Sequence, residues 1–254
     1  MSQNTFAIEF KNVTKNYLIT KGRYGLLSEK VGELFSFGRS QSNNRRVITA
    51  LKNVSFKIKH GEAVGVIGRN GAGKSTILKL ISKISYPNQG QVLVKGRIGA
   101  FIELGAGLHP ELSGRENIFL YGAILGMKKK EIEKKFDEIV DFAEIRKFLD
   151  VTIKKYSSGM YSRLGFSVCA FCDPNILLVD EVLAVGDNNF QQKCLDKMCS
   201  FAKRKTIVFV SHDLRAIKSI CKTVIYLEKG KIKKIGNPQE VIKSYLKEAK
   251  GDQI

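Results

Sequence analysis

Apolar and polar residues alternate through Ile8-Glu-Phe-Lys-Asn-Val-Thr-Lys-Asn-Tyr17 and again through Leu51-Lys-Asn-Val-Ser-Phe-Lys-Ile58. A period of two marks strands with one buried face. The first run reads as an edge strand of an antiparallel sheet ending near Tyr17, and the second leads into a turn at His60-Gly61. Between them the chain takes a detour over residues 18–49. Tyr24, Leu27, Val31, Leu34 and Phe35 fall at helical spacing there, with Glu29, Lys30 and Glu33 between them, which predicts a short amphipathic helix. Gly38 to Arg46, rich in Ser, Asn and Arg, predicts a loop. Such a helix either covers the sheet edge or offers its apolar face to a membrane or a membrane protein.

Unbroken apolar runs follow. Ala63–Ile67, Ile176–Val179 and Thr206–Val210 read as short buried strands. Gln91–Lys95 and Arg97–Leu104 read as further strands or a hairpin after the turn Tyr86–Gly90, and Gly105–Pro110 as a loop. Ser113 with Glu116 three residues on has the form of a capping box. It opens a helical region reaching about Leu149, whose apolar faces are supplied by Ile132, Phe136, Ile139, Val140 and Phe142. Another helix follows Ser157-Ser-Gly-Met160, carrying Leu164, Phe166, Val168 and Phe171. Val224–Gly236 predicts a hairpin turning at Lys229-Gly230, and residues 238–249 a last helix. Helices between buried strands predict an α/β fold.

Composition narrows the class. The 254 residues are 43% hydrophobic and 26% charged, enough for one large or two small domains. No stretch approaches the roughly 18 apolar residues of a spanning helix, and Met1–Thr5 does not begin a basic-then-apolar leader, so a cytoplasmic location is expected. Cys169, Cys172, Cys194, Cys199 and Cys221 are scattered, and Cys169-Ala-Phe-Cys172 stands without a second pair or neighbouring histidines. A buried apolar helix face suits it better than zinc or redox chemistry. The net charge of +19 favours an anionic partner: nucleic acid, acidic lipid or nucleotide phosphate. Charge alone does not choose among them.

Chemistry enters at Gly68-Arg-Asn-Gly-Ala-Gly-Lys-Ser-Thr76. A G-x-x-x-x-G-K-S pattern between a buried strand and a helix is a P-loop. Gly68, Gly71 and Gly73 permit left-handed backbone and close approach, so the amides of Arg69, Asn70, Ala72 and their neighbours can close on phosphate oxygens. The helix N-terminus aims its unpaired N–H groups and positive dipole end at the same anion. Lys74 reaches the β- and γ-phosphates and the Ser75 hydroxyl, beside Thr76, is placed for Mg²⁺. Asn175-Ile-Leu-Leu-Val-Asp-Glu181 ends a strand in two carboxylates, of which Asp180 suits the Mg²⁺ shell and Glu181 the polarising of a water that attacks phosphate. His212 closes the other strand end, where it can orient that water.

With Tyr156 before it, Ser157-Ser158-Gly159-Met160 resembles the signature motif of the ATP-binding-cassette (ABC) family, and the order P-loop, signature, Asp-Glu strand, His is that family's order. The resemblance implies a single nucleotide-binding domain over residues 1–254: a P-loop NTPase core with an antiparallel β subdomain and an α-helical subdomain at 105–160. It implies ATP hydrolysis with Mg²⁺ and a head-to-tail homodimer, each ATP lying between the P-loop of one copy and the signature of the other. By the same resemblance Tyr17 stacks on adenine and Asp187 lies at the dimer seam. Ser158 stands where glycine is usual. Glu103 stands in the loop where glutamine usually meets Mg²⁺ and the transmembrane subunit, which leaves it a further Mg²⁺ candidate.

The longer runs Ile102-Glu-Leu-Gly-Ala-Gly-Leu-His-Pro-Glu-Leu-Ser-Gly-Arg-Glu-Asn-Ile118, Tyr156–Met160, Val182–Asp187 and Phe190-Gln-Gln-Lys-Cys194 resemble the ATPase subunits that export O-antigen, capsule or teichoic-acid chains on lipid carriers. That implies a separate transmembrane permease, a lipid-linked polysaccharide handled through it, and a peripheral position on the cytoplasmic face of the membrane. The chain stops at Ile254, so the carbohydrate-binding domain of some O-antigen exporters is not expected. An importer or drug-exporter ATPase would share the chemistry with a different partner, and the Glu103 loop argues against it. A soluble cassette ATPase acting on nucleic acid or ribosomes is the alternative that the charge would suit. Such proteins usually join two cassettes or insert a long coiled coil, so no nucleic-acid partner is expected.

Overall fold

The computed structural model describes residues 6–20, 45–101, 105, 107–180 and 186–251. The alternating segments form strands β1 (Phe6–Thr20) and β2 (Arg45–Lys59), which pair antiparallel over nearly their whole length, from Phe6 opposite Lys59 to Thr20 opposite Arg45. β4 (Gln89–Val94) pairs along the other side of β1, giving the sheet order β2-β1-β4. β1 is therefore the central strand and not the expected edge. Its period-two pattern reports one buried face, which a central strand of a one-sided sheet shows as readily as an edge. Leu18–Thr20 and Arg45–Thr49, expected in the detour, lengthen the β1–β2 pairing instead, so Arg45 and Arg46, expected in the loop, are strand, and the rest of that expected loop lies outside the described residues. The expected amphipathic helix, Tyr24 to Phe35, lies outside the described residues.

The unbroken apolar runs become β3 (Ala63–Ile67), β6 (Ile176–Asp180) and β7 (Thr206–Val210). With β5 (Ile98–Phe101), β8 (Thr223–Glu228) and β9 (Lys231–Gly236) they form a sheet ordered β5-β6-β7-β3-β8-β9, parallel except for β9. β4 and β5 are thus not a hairpin: each joins a different sheet. The β8–β9 hairpin turns at Lys229 and Gly230, both at positive φ.

The helices among the described residues are α1 (Lys74–Ile81), α2 (Gly114–Ile124), α3 (Lys129–Ala143), α4 (Ser158–Phe171), α5 (Asn188–Ala202), α6 (Leu214–Ile220) and α7 (Pro238–Gly251). The region predicted as one helical stretch to Leu149 divides into α2, α3 and a 3-10 turn at Arg146–Phe148. Successive residues of the parallel strands face two cores. Ile176, Leu178, Val208 and Val210 enter the layer that holds α1 and the antiparallel sheet, where Phe10 stacks on Phe56 at 4.4 Å. Leu177, Val179, Ile207 and Phe209 enter the layer packed by α2 to α6. Each large side chain buried this way contributes about 1.5–3 kcal/mol. α1 is gripped in the first core, which fixes the direction in which its N-terminus points.

Candidate functional site

The loop from β3 to α1 is shaped by its glycines. Gly68 sits at φ 153°, and a Cβ there would come within 3.0 Å of the Leu227 carbonyl on β8. Gly71, at φ 78°, would meet nothing within 4 Å: it faces open space. No side chain caps the N-terminus of α1, although Ser113, Ser157, Asp187 and Asp213 cap α2, α4, α5 and α6. With no side-chain cap, this helix end can present its amides to an external acceptor, the arrangement that favours an anion. Lys74, 7% exposed, donates from Nζ to the carbonyls of Gly68 (2.9 Å) and Arg69 (3.2 Å), so its ammonium is held over the loop.

A cavity of about 690 Å³ opens here, lined by Asn70, Gly71, Gly73, Lys74, Ser75 and Thr76, with Asp180 at the end of β6 and Tyr17 on β1. Six sequence-predicted positions of the loop and helix start, one carboxylate and one aromatic ring are thus brought together, with Gly68 tied to them through Lys74. Arg69 and Ala72 line an adjoining cleft with Tyr226 and Glu228, which shares Asn70 and Gly71 with this cavity. His212 follows β7, is exposed, and does not line the cavity. Glu181 and Glu103 lie outside the described residues. Sequence reading missed Ile48, Thr49 and Ala50, which wall the cavity from β2; Tyr17 pairs with Ile48 and Asn16 with Thr49. Extending the alternation back from Leu51 to Arg45 would have found them.

The cavity's oxygen donors are suited to Mg²⁺. One carboxylate (Asp180) shares it with a few neutral hydroxyls, Ser75 at the helix start among them, and no cluster of three or more His, Cys, Asp or Glu occurs among the described residues. That sparse set fits an ion that takes one or two protein oxygens and completes its shell with phosphate and water.

A second cleft, about 590 Å³, is lined by Ser157, Ser158, Gly159, Met160, Ser162, Arg163, Gly186 and Asp187. It shares no lining residue with the first. The Ser157 hydroxyl accepts from the Met160 amide at 3.2 Å, which starts α4 at the predicted place. Asp187 accepts from the Phe190 amide at 2.9 Å and starts α5. Arg163, one turn into α4, joins them: its Nη1 lies 2.6 Å from Glu144 and its Nη2 2.5 Å from Asp187, with its guanidinium 5.0 Å from the Phe190 ring centre. Lys193 reaches the other oxygen of Glu144 at 2.6 Å. The Lys193 hydrogen bond, aided by Arg163, holds the Glu144 carboxyl below the usual carboxylate range. The Phe190 amide and Arg163 do the same for Asp187. Ser162, Arg163 and Gly186 were not predicted as site residues; a lone arginine in an otherwise apolar helix was the available signal.

The segment between β5 and α2 is fastened by buried Asn117. Its Oδ1 accepts from the His109 amide (2.7 Å) and its Nδ2 donates to the carbonyls of His109, Leu112 and Ser113. Ser113 and Glu116 complete the predicted capping box. The Tyr161 hydroxyl, on the turn of α4 that follows the signature serines, donates to the Gly105 carbonyl at 2.7 Å. Cys169 and Cys172 are buried and free; burial pushes the Cys169 thiol up to about 12. Both lie in the core at the end of α4, as the apolar reading of that segment expects.

A P-loop over an uncapped helix, opposite a strand-end carboxylate in an α/β sheet, defines a nucleotide-binding domain. Residues 51–184 match the family model described as ABC transporter, and the chain belongs to that family as an ATP-binding domain. It is 42% identical over 241 residues to the O-antigen export system ATP-binding protein RfbB of Klebsiella pneumoniae, covering 94% of this chain and 96% of that one. The teichoic acids export ATP-binding protein TagH of Bacillus anthracis is also 42% identical over 94% of this chain, which spans only 42% of that protein. Likewise the chain spans 56% of the RfbB of Myxococcus xanthus. Among solved structures, a dimeric bacterial ABC transporter cassette superposes with a TM-score of 0.70 at 25% identity, over 91% of this chain and 98% of that one.

Proposed function

We propose that the chain is the ATP-hydrolysing subunit of an exporter of lipid-linked polysaccharide, working as a homodimer on the cytoplasmic face of the membrane with a separate transmembrane permease. The observation that carries the reading is the pair of clefts: a P-loop cavity and a signature cleft with no residue in common, each offering a helix N-terminus and hydroxyl groups. One nucleotide needs both, so two chains packed head to tail complete two sites. In the P-loop cavity the α1 amides and Lys74 bind the phosphates and Tyr17 takes the adenine. Ser75 and Asp180 would hold Mg²⁺, which when bound screens the phosphate charge. Glu181 accepts the proton of the attacking water, and His212 orients that water after closure. Ser157, Ser158, Gly159 and Met160 contact the phosphates held by the partner copy, and Asp187 lies at the seam. The name of a relative nearly coextensive with this chain supports O-antigen export, and that of a relative matched over 69% of its length supports teichoic-acid export.

Replacing the chromosomal copy with Lys74→Met tests the export role. Surface polysaccharide should disappear while lipid-linked chains accumulate on the cytoplasmic side. Unchanged surface polysaccharide would rule out this substrate class.

A further inference from the structure

Tyr17 is the only aromatic residue among the described residues lining the P-loop cavity, and something must hold its ring. Its hydroxyl does not: the oxygen is buried and has no hydrogen-bond partner among the described residues. The polar contact on the ring comes from Lys15, two residues earlier on β1. Lys15 Nζ stands 5.0 Å from the ring centre. The ammonium is in turn fixed by donating to the Tyr86 carbonyl at 2.8 Å, in the turn between α1 and β4. Lys15 covers the ring without lining the cavity.

We propose that Lys15 is a positioning residue that sets base recognition: pinned by the Tyr86 carbonyl, it orients and polarises the Tyr17 ring as a stacking platform for a flat, electron-rich nucleobase. A cation against one side of an aromatic ring draws electron density toward itself. The side left to the ligand is then less negative, which lowers the quadrupole repulsion that opposes stacking of two electron-rich rings. Lys15 also blocks its own side of the ring, so the base has one place to stack. The inference rests on the cavity being the ATP site.

Equilibrium binding of ATP and of inorganic tripolyphosphate to the full chain separates the two claims. Lys15→Met keeps the side-chain length and removes the charge. It should weaken ATP binding about three- to fivefold and leave tripolyphosphate binding unchanged, which also reports that the variant is folded. Lys15→Arg should restore ATP affinity, and Tyr17→Ala should weaken ATP at least as much as Lys15→Met. Wild-type ATP affinity in Lys15→Met, with Tyr17→Ala impaired, would overturn the role of Lys15 and leave the site intact. Equal losses for ATP and tripolyphosphate would overturn it too, because the effect would then not be on the base. An unimpaired Tyr17→Ala would refute the placement of the base itself.

Discussion

Gly68→Ala and Gly71→Ala, two substitutions three residues apart in one loop, should differ severalfold in cost. At Gly68 the new Cβ comes within 3.0 Å of the Leu227 carbonyl oxygen, a backbone atom of a fully buried residue on β8. β8 is paired to β3 on one side and β9 on the other, so the carbonyl cannot swing away without disturbing two ladders. Overpacking of this kind costs about 1–3 kcal/mol, and holding alanine at the positive φ adds about 1–3 kcal/mol. At Gly71 the Cβ meets nothing, and only the left-handed backbone charge of about 1–2 kcal/mol remains. A chain of this length loses about 2–4 °C per kcal/mol. Thermal unfolding followed by circular dichroism without nucleotide should therefore show a fall of about 10 °C for Gly68→Ala and about 4 °C for Gly71→Ala. Equal falls, or a larger one at Gly71, would refute the argument from close approach.

Two further outcomes follow from the ionisable groups. The Glu144 carboxyl is depressed in the folded chain, so its contribution to stability is complete above its unfolded value of 4.5 and is lost as pH falls through the lower folded value. Urea midpoints should thus drop on acidification below about pH 4.5, and Arg163→Ala together with Lys193→Ala should flatten that dependence; an unchanged slope would contradict the assigned partners. Burial pushes the thiols of Cys169, Cys194 and Cys221 up to about 12, so iodoacetamide at pH 8 should label the half-buried Cys199 first and leave those three unreacted until the chain unfolds. Rapid labelling of all five in the native chain would count against the described core.

The P-loop was legible because strand, loop and helix each announce themselves locally: an unbroken apolar run, glycines at fixed offsets, then helical spacing. The capping box at Ser113 and Glu116 and the hairpin at Lys229-Gly230 were legible for the same reason. Which sheet a strand joins was not. Nothing in Gln91–Lys95 distinguishes pairing with β1 from pairing with β5, because that choice is made by packing against α1 on one side and Pro174 and Asn175 on the other. Arg163 was missed because its partners, Glu144 and Asp187, are 19 and 24 residues away along the chain. Ile48, Thr49 and Ala50 were missed because the strand pattern was stopped at Leu51, the residue that directly follows the cavity wall.

The account turns on two clefts of one chain completing a nucleotide site with a second copy. The most direct measurement is the molar mass in solution of Glu181→Gln, by light scattering, with and without Mg²⁺-ATP. Removing the base while leaving both phosphate-binding surfaces intact should give an ATP-dependent dimer, and adding Ser157→Arg in the signature cleft should return it to monomer. A Glu181→Gln chain that stays monomeric in saturating ATP, or a dimer indifferent to Ser157→Arg, would contradict the shared site.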